Sequence, residues 1–283
     1  MSRQGFRCLL GNVLLLGLTL AIVGPAQAQS KPERVASLNL CTDQLLLALA
    51  DRSQIASLSR LARDPSMAFL SDQAAGIPLN DSSAEATLFS RPDLVLAGTY
   101  GQQDQVALLR RQGLDVLSLG PWAGLEDGRG QIRTLARRLG HPDRGEALIA
   151  RIDAALERAK EIVKPKRSIL VYERGGWVIA PHSPLSEILV HMGFRLHEAL
   201  DPAQGGVARL EAIVTTPPDF MLVDAASRQA VDNGTALFAH PALAESVPLD
   251  RRLALPSKLT ICGGASTPVA IDTLGAEVRA KVR

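Results

Sequence analysis

The sequence predicts an α/β protein of two lobes, each built on a parallel sheet, joined by one long rigid helix. Three observations carry this. Short β-rich runs alternate with helical patterns from residue 29 onward. An uninterrupted amphipathic stretch lies near the middle, and one motif recurs on either side of it. The composition suits a folded chain: 283 residues, 46% hydrophobic and 21% charged. Only 10 residues are aromatic (6 Phe, 2 Tyr, 2 Trp), so the core must be aliphatic and a protein that works by stacking nucleobases is disfavoured.

In the first lobe, residues 29–140, Arg34 to Leu38, Ile55 to Leu58, Asp93 to Ala97 and Val116 to Leu119 read as strands. Thr42 to Ala50 reads as a helix with Leu45, Leu46 and Leu49 on one face; Asp104 to Arg111 is a second helix, stopped by Gly113. The connecting segment, residues 141–165, carries Leu148, Ile152, Leu156, Ala159 and Val163 at the spacing of one helix face over Asp143 to Val163. Pro142 precedes this helix and Pro165 is expected to stop it. At 1.5 Å per residue it would run about 30 Å, a stiff rod rather than a flexible linker. The second lobe, residues 166–283, repeats the pattern. Its strands are Ser168 to Tyr172, Asp219 to Val223 and Arg251 to Leu255; its helices are Pro184 to Met192, ended by Gly193, and Thr267 to Lys281.

The recurring motif is Glu-Ala-x5-Pro-Asp. Glu85-Ala86 leads to Pro92-Asp93 and the strand from Leu94, and 126 residues later Glu211-Ala212 leads to Pro218-Asp219 and the strand from Phe220. Each Glu opens a short helix, where a carboxylate favours the positive end, and the proline closes it. Helix capping alone would explain one such Glu. Two at equivalent places in matched lobes point to a shared role.

Residues 1–28 have the layout of a secretory signal: Arg3 and Arg7, an apolar run from Cys8 to Val23, and a small-residue ending that places cleavage after Ala28. Removing Arg3 and Arg7 from 31 Lys+Arg leaves 29 against 29 Asp+Glu, a neutral protein. That argues against nucleic-acid binding. It would also leave Cys41 and Cys262 as the remaining thiols in an oxidising compartment. A disulfide, two buried thiols and a thiolate contact to ligand are all open to such a pair.

The segments Arg34-Val35-Ala36-Ser37-Leu38 and Arg91-Pro92-Asp93-Leu94-Val95-Leu96-Ala97-Gly98, the central helix and the second Glu motif together resemble the Fe/cobalamin periplasmic-binding family, over essentially residues 33–283. These are substrate-binding proteins of ABC importers for iron-siderophores, haem and cobalamin. The resemblance implies the class III periplasmic-binding fold with Rossmann-like lobes, a monomer, no enzymatic activity and no cofactor of its own. It also implies an inner-membrane ABC permease as partner, with Glu85 and Glu211 docking to permease arginines. The ligand would be a ferric siderophore, a corrinoid or haem, held between the lobes.

Ligands of open α/β sheets gather at the carboxyl ends of the strands. That places the Asn39-Leu40-Cys41-Thr42 loop, Arg60, Tyr100 and Trp122 of the first lobe, and Glu173, Arg174, Trp177 and Lys258 with Cys262 of the second, as candidate contacts. The cations would pair with acidic groups and the aromatics would cover an apolar ring. Ile77-Pro78 stands where a cleft aromatic would be expected. An enzyme reading finds little support: there is no His-Glu-x-x-His, Walker glycine loop or Gly-x-Ser-x-Gly, and Glu187, His191 and His197 group only loosely about one helix end. A carrier of bare metal ions would need several His at strand ends, and only His182 is so placed.

Overall fold

A computed structural model describes residues 31–197, 206–228, 232 and 234–282. The expected export segment, with Arg3, Arg7 and Cys8, lies outside these. The first lobe is a five-stranded parallel sheet in the order β3-β2-β1-β4-β5, formed by β1 (Val35–Ser37), β2 (Ile55–Ser59), β3 (Leu79–Asn80), β4 (Leu94–Gly98) and β5 (Val116–Leu119). Its helices are α1 (Leu40–Leu49), α2 (Ala84–Phe89), α3 (Gln103–Arg111) and α4 (Leu125–Arg138). Helix α5 (Pro142–Ala159) leads to the second lobe.

There the four-stranded parallel sheet β11-β10-β6-β8 is made by β6 (Ser168–Val171), β8 (Arg195–Leu196), β10 (Phe220–Asp224) and β11 (Arg252–Leu255). A small antiparallel ribbon pairs β7 (Trp177–Val178) with β9 (Gly206–Val207). Helices α6 (Pro184–His191), α7 (Leu210–Thr215), α8 (Pro241–Ser246) and α9 (Thr267–Lys281) complete it.

The connecting helix is shorter than the periodicity implied. It ends at Ala159, six residues before Pro165, with Glu161 in the left-handed region at φ 47°. Val163 is buried all the same, because the chain turns after the helix and its N–H donates to the Met192 carbonyl at 3.0 Å. A core side chain thus kept helical register by coincidence. Helix α4 went unrecognised because Gly128 and Gly130 break up its apolar stripe of Leu125, Ile132, Leu135 and Ala136.

The predicted face of α5 is buried: Leu148, Ile152, Leu156 and Ala159 are all at most 7% exposed. They belong to one apolar cluster that also takes in Val35 and Leu94 of the first sheet and Ile169 and Leu222 of the second. At roughly 1.5–3 kcal/mol per fully buried aliphatic side chain, this shared core is what holds the lobes on a common rod.

The motif acquires a structural meaning here. Asp93 immediately precedes β4 and its carboxylate accepts the N–H of Glu33 at 2.7 Å and of Arg34 at 3.1 Å, just before β1. Asp219 immediately precedes β10 and accepts the Ser168 N–H at 2.6 Å and its hydroxyl at 2.8 Å, where β6 starts. The pairings Val35↔Leu94 and Ile169↔Phe220 put both aspartates in the same register. Each one clamps the amino ends of the two central strands of its sheet.

These bonds, chiefly the Ser168 N–H, hold the Asp219 carboxyl below the usual carboxylate range of about 3.8. A depressed folded pKa gives stability that is present above the unfolded value and lost as pH falls through the folded one. Asp219→Ala is therefore expected to cost about 1–3 kcal/mol at pH 7 in urea titrations, with the gap to wild type closing below about pH 4. A gap that held constant to pH 3 would exclude the charged clamp.

Candidate functional site

In both sheets the chain reverses its direction of travel across the sheet at the central pair, β1/β4 in one and β6/β10 in the other. Crevices form at the carboxyl ends of such pairs. In the first lobe this edge is rigid. Asn39 caps α1, accepting the N–H groups of Cys41 and Thr42, so Cys41 lies in the first turn of a helix instead of in the expected loop. A Cβ at Gly98 would sit 2.6 Å from the Asn39 amide, so only glycine lets the end of β4 approach this closely. Gln102 ties both central strands, donating to the Leu38 carbonyl at 2.7 Å and accepting from the Gly98 N–H at 3.2 Å. Asp43 is wholly buried and accepts the Ser59 N–H and hydroxyl at 3.1 and 2.5 Å, which fixes the end of β2 against α1. Burial pushes its carboxyl up to about 6.

The carboxyl edges of the two lobes are joined to each other. Cys41 of α1 forms a disulfide with Cys262, in the loop between β11 and α9. This removes the free-thiol readings and the proposed thiolate contact of Cys41. Trp122, expected at the ligand, instead packs between Gly128 of α4 and Gly263 of the second lobe; a Cβ on either glycine would lie 2.3 Å from its ring. Gly264, at φ 127°, lies against Leu45 of α1 in the same way. Glu187 of α6 reaches across to accept the Leu125 N–H at 2.7 Å, capping α4 from the opposite lobe.

That bond explains the grouping of Glu187, His191 and His197 without catalysis. His191 is engaged with the Leu156 carbonyl at 2.8 Å. Among the described residues no group of three His, Cys, Asp or Glu side chains converges as a metal site. Ile77 is a core residue at 3% exposure, so its position says nothing about an aromatic at the ligand.

The other candidates divide. Tyr100, just beyond β4, is 74% exposed, and Trp177 in β7 is 56% exposed beside its register partner Val207. These are uncovered apolar surfaces at the carboxyl edges. Sequence reasoning missed Val207, whose two-residue strand leaves no periodic signal. Arg60 and Lys258 follow the carboxyl ends of β2 and β11. Arg174 is not a free cation: it pairs with Asp232 at 3.0 Å, which draws that carboxyl below its ordinary range. Glu173 is raised, first by desolvation and then by the neighbouring Asp224.

Glu85 and Glu211 are exposed in the first turns of α2 and α7. Helices that cross back between parallel strands run antiparallel to them, so these first turns lie toward the same edges as the candidate ligand contacts. Both glutamates thus occupy matching positions in their sheets.

Two parallel sheets on one helical rod, with their carboxyl edges tied together, define a bilobal α/β binding protein. The chain belongs to the periplasmic binding protein family, whose model matches residues 35–246. It is accordingly a non-enzymatic substrate-binding component of an ABC importer.

Solved structures share the fold. The periplasmic haem-binding protein RhuT from Roseiflexus sp. RS-1, in apo form, is 21% identical with a TM-score of 0.67 over 89% of this chain and 99% of its own. The haem-binding protein BhuT, in complex with two haems, is 21% identical with a TM-score of 0.71 over 88% and 99%. The vitamin B12 binding protein BtuF of Vibrio cholerae is 17% identical with a TM-score of 0.69 over 89% and 98%. No curated protein matches at the same stringency.

The disulfide closes a loop with a sequence separation of 221. Chain entropy puts its contribution at about 5 kcal/mol, and measured effects commonly fall below that figure. The double variant Cys41→Ser/Cys262→Ser should lose about 2–5 kcal/mol by denaturant titration. Wild type in reductant should shift to match it. An unchanged midpoint would show that the bond does not constrain the unfolded chain.

Proposed function

We propose that the chain, exported and processed after Ala28, captures a metal chelate between the carboxyl edges of its lobes, residues 29–140 and 166–283, and delivers it to an inner-membrane ABC permease. The observation that carries this is the exposed apolar surface at those edges: Tyr100 on one lobe, and Trp177 with Val207 on the other. Aromatic side chains left in solvent beside a structural switch point suit the flat face of a large ring. Arg60 and Lys258 supply positive charge for acidic groups at the ligand rim.

A corrinoid or a ferric siderophore brings its metal already ligated and asks only for such packing and charge. Haem is the second reading. It is favoured by the exposed Tyr100, a phenol able to approach an iron, and by the haem-binding proteins of the same fold.

Cyanocobalamin, haemin and a ferric siderophore titrated separately against intrinsic fluorescence test the capture. With two tryptophans in the chain, the ligand should quench Trp177 and spare the packed Trp122. Trp177→Phe should then abolish most of the signal, whereas Trp122→Phe keeps it, and Trp177→Ala should weaken binding about tenfold, a loss typical of one stacked ring. The reverse pattern would move the ligand away from Trp177. A change in the haemin Soret band that Tyr100→Phe abolishes would select haem.

Docking is assigned to Glu85 and Glu211. Two exposed carboxylates in matching positions orient the loaded protein on a basic surface and cost little when solvated. Glu85→Ala/Glu211→Ala should lower permease-coupled ATPase stimulation several-fold while ligand affinity stays within twofold. Unaltered stimulation would remove the assignment.

A further inference from the structure

Phe89 is the most exposed large apolar side chain described, at 91%, and Leu88 beside it is 36% exposed. Isolated surface hydrophobics are ordinary, but a phenylalanine left almost wholly in water is not. Phe89 is four residues after Glu85, so the two share one face of α2.

The helix beneath them is firmly held. Ser83 caps it, Thr87 is buried with its hydroxyl on the Ser83 carbonyl at 2.7 Å, and Arg34 grips the far end through the Arg91 carbonyl at 3.0 Å and the Ser90 carbonyl at 2.6 Å. Non-glycine residues in the left-handed region flank it on both sides, Ser82 at φ 63° and Arg91 at φ 46°. Ser82 is kept there by the Asn80 side chain, at 2.9 Å from its N–H, and by its own hydroxyl on the Leu38 carbonyl at 2.6 Å. Strain of this kind persists only where the surroundings over-determine it, and it gathers at places of function. Phe89 is thus presented on a fixed platform.

The second lobe supplies an internal comparison. In the motif register Phe89 corresponds to Thr215, whose hydroxyl turns back to the Glu211 carbonyl at 2.7 Å. The corresponding flanks of α7, Ala208 and Pro217, are not left-handed. The two helices share their carboxylate and differ in the aromatic.

We infer that Glu85 and Phe89 form a single contact with the permease, Phe89 entering an apolar pocket whose rim carries the cation that takes Glu85. This rests on the docking role proposed for Glu85 and Glu211. Charge complementarity argues for the permease as occupant, because the aromatic lies one helical turn from an exposed acid. A buried aromatic anchor ringed by charge carries most of the energy in such contacts. Docking is then lopsided, with the first lobe gripping and the second only steering.

The test uses the full protein with the cognate permease in nanodiscs, measuring docking affinity by interferometry. Phe89→Ser should weaken docking at least tenfold, with melting temperature and affinity for cyanocobalamin and haemin unchanged; Thr215→Ala should stay within twofold. If Phe89→Ser docks as wild type while Glu85→Ala/Glu211→Ala does not, the inference fails and the docking role stands. If both dock as wild type, the docking role fails with it. A wild-type dimer that Phe89→Ser turns into a monomer in sedimentation would assign the face to a second copy of the chain and overturn the inference.

Discussion

The Cys41–Cys262 disulfide is the constraint on which the rest of the architecture depends, because it joins the carboxyl edges of two otherwise separate sheets. Three non-covalent contacts reinforce it: Trp122 held between Gly128 and Gly263, Gly264 against Leu45, and the Glu187 carboxylate on the first turn of α4. With α5 packed into the core of both lobes, the halves are fastened by a rod and by a seam. The exposed ends, where Tyr100 and Trp177 stand, are the part of these edges left uncovered. A protein so fastened binds by presenting a preformed surface, which lowers the ordering cost of association.

The doubled motif divides its labour between the two edges of each sheet. Its aspartates work at the amino edge, where Asp93 and Asp219 hold the two central strands in register. Its glutamates sit toward the carboxyl edge, exposed on helices that the same sequence places there. The prolines between them, Pro92 and Pro218, are buried and turn the chain from helix to strand. One nine-residue pattern thus builds the sheet and presents an acid from it. The two copies have diverged where a partner would touch them, at Phe89 and Thr215, and have kept what the fold needs.

Much of this was legible in the sequence. Apolar runs gave the strands β1, β2, β4, β5, β6, β10 and β11, and the helical stripe of Leu148, Ile152, Leu156 and Ala159 gave the rod, because burial imposes a period on residues that lie in order along the chain. The motif gave the two-fold repetition. Where the periodic signal was interrupted or too short, reading failed: at α4 with its two glycines, at the two-residue strands, and at Val163, which kept the stripe after the helix had ended.

Tertiary structure alone decided what each candidate side chain does. Nothing in the local sequence distinguishes Trp122, packed across the seam, from Trp177, open to solvent, or Arg174, paired with Asp232, from Lys258. The deciding partners, Gly263 for Trp122 and Asp232 for Arg174, lie 141 and 58 residues away, and such meetings are set by how the sheets are brought together. The choice among a disulfide, two thiols and a thiolate contact was settled for the same reason. It required knowing that the start of α1 and the loop before α9 arrive at one place, with their Cα atoms 5.1 Å apart.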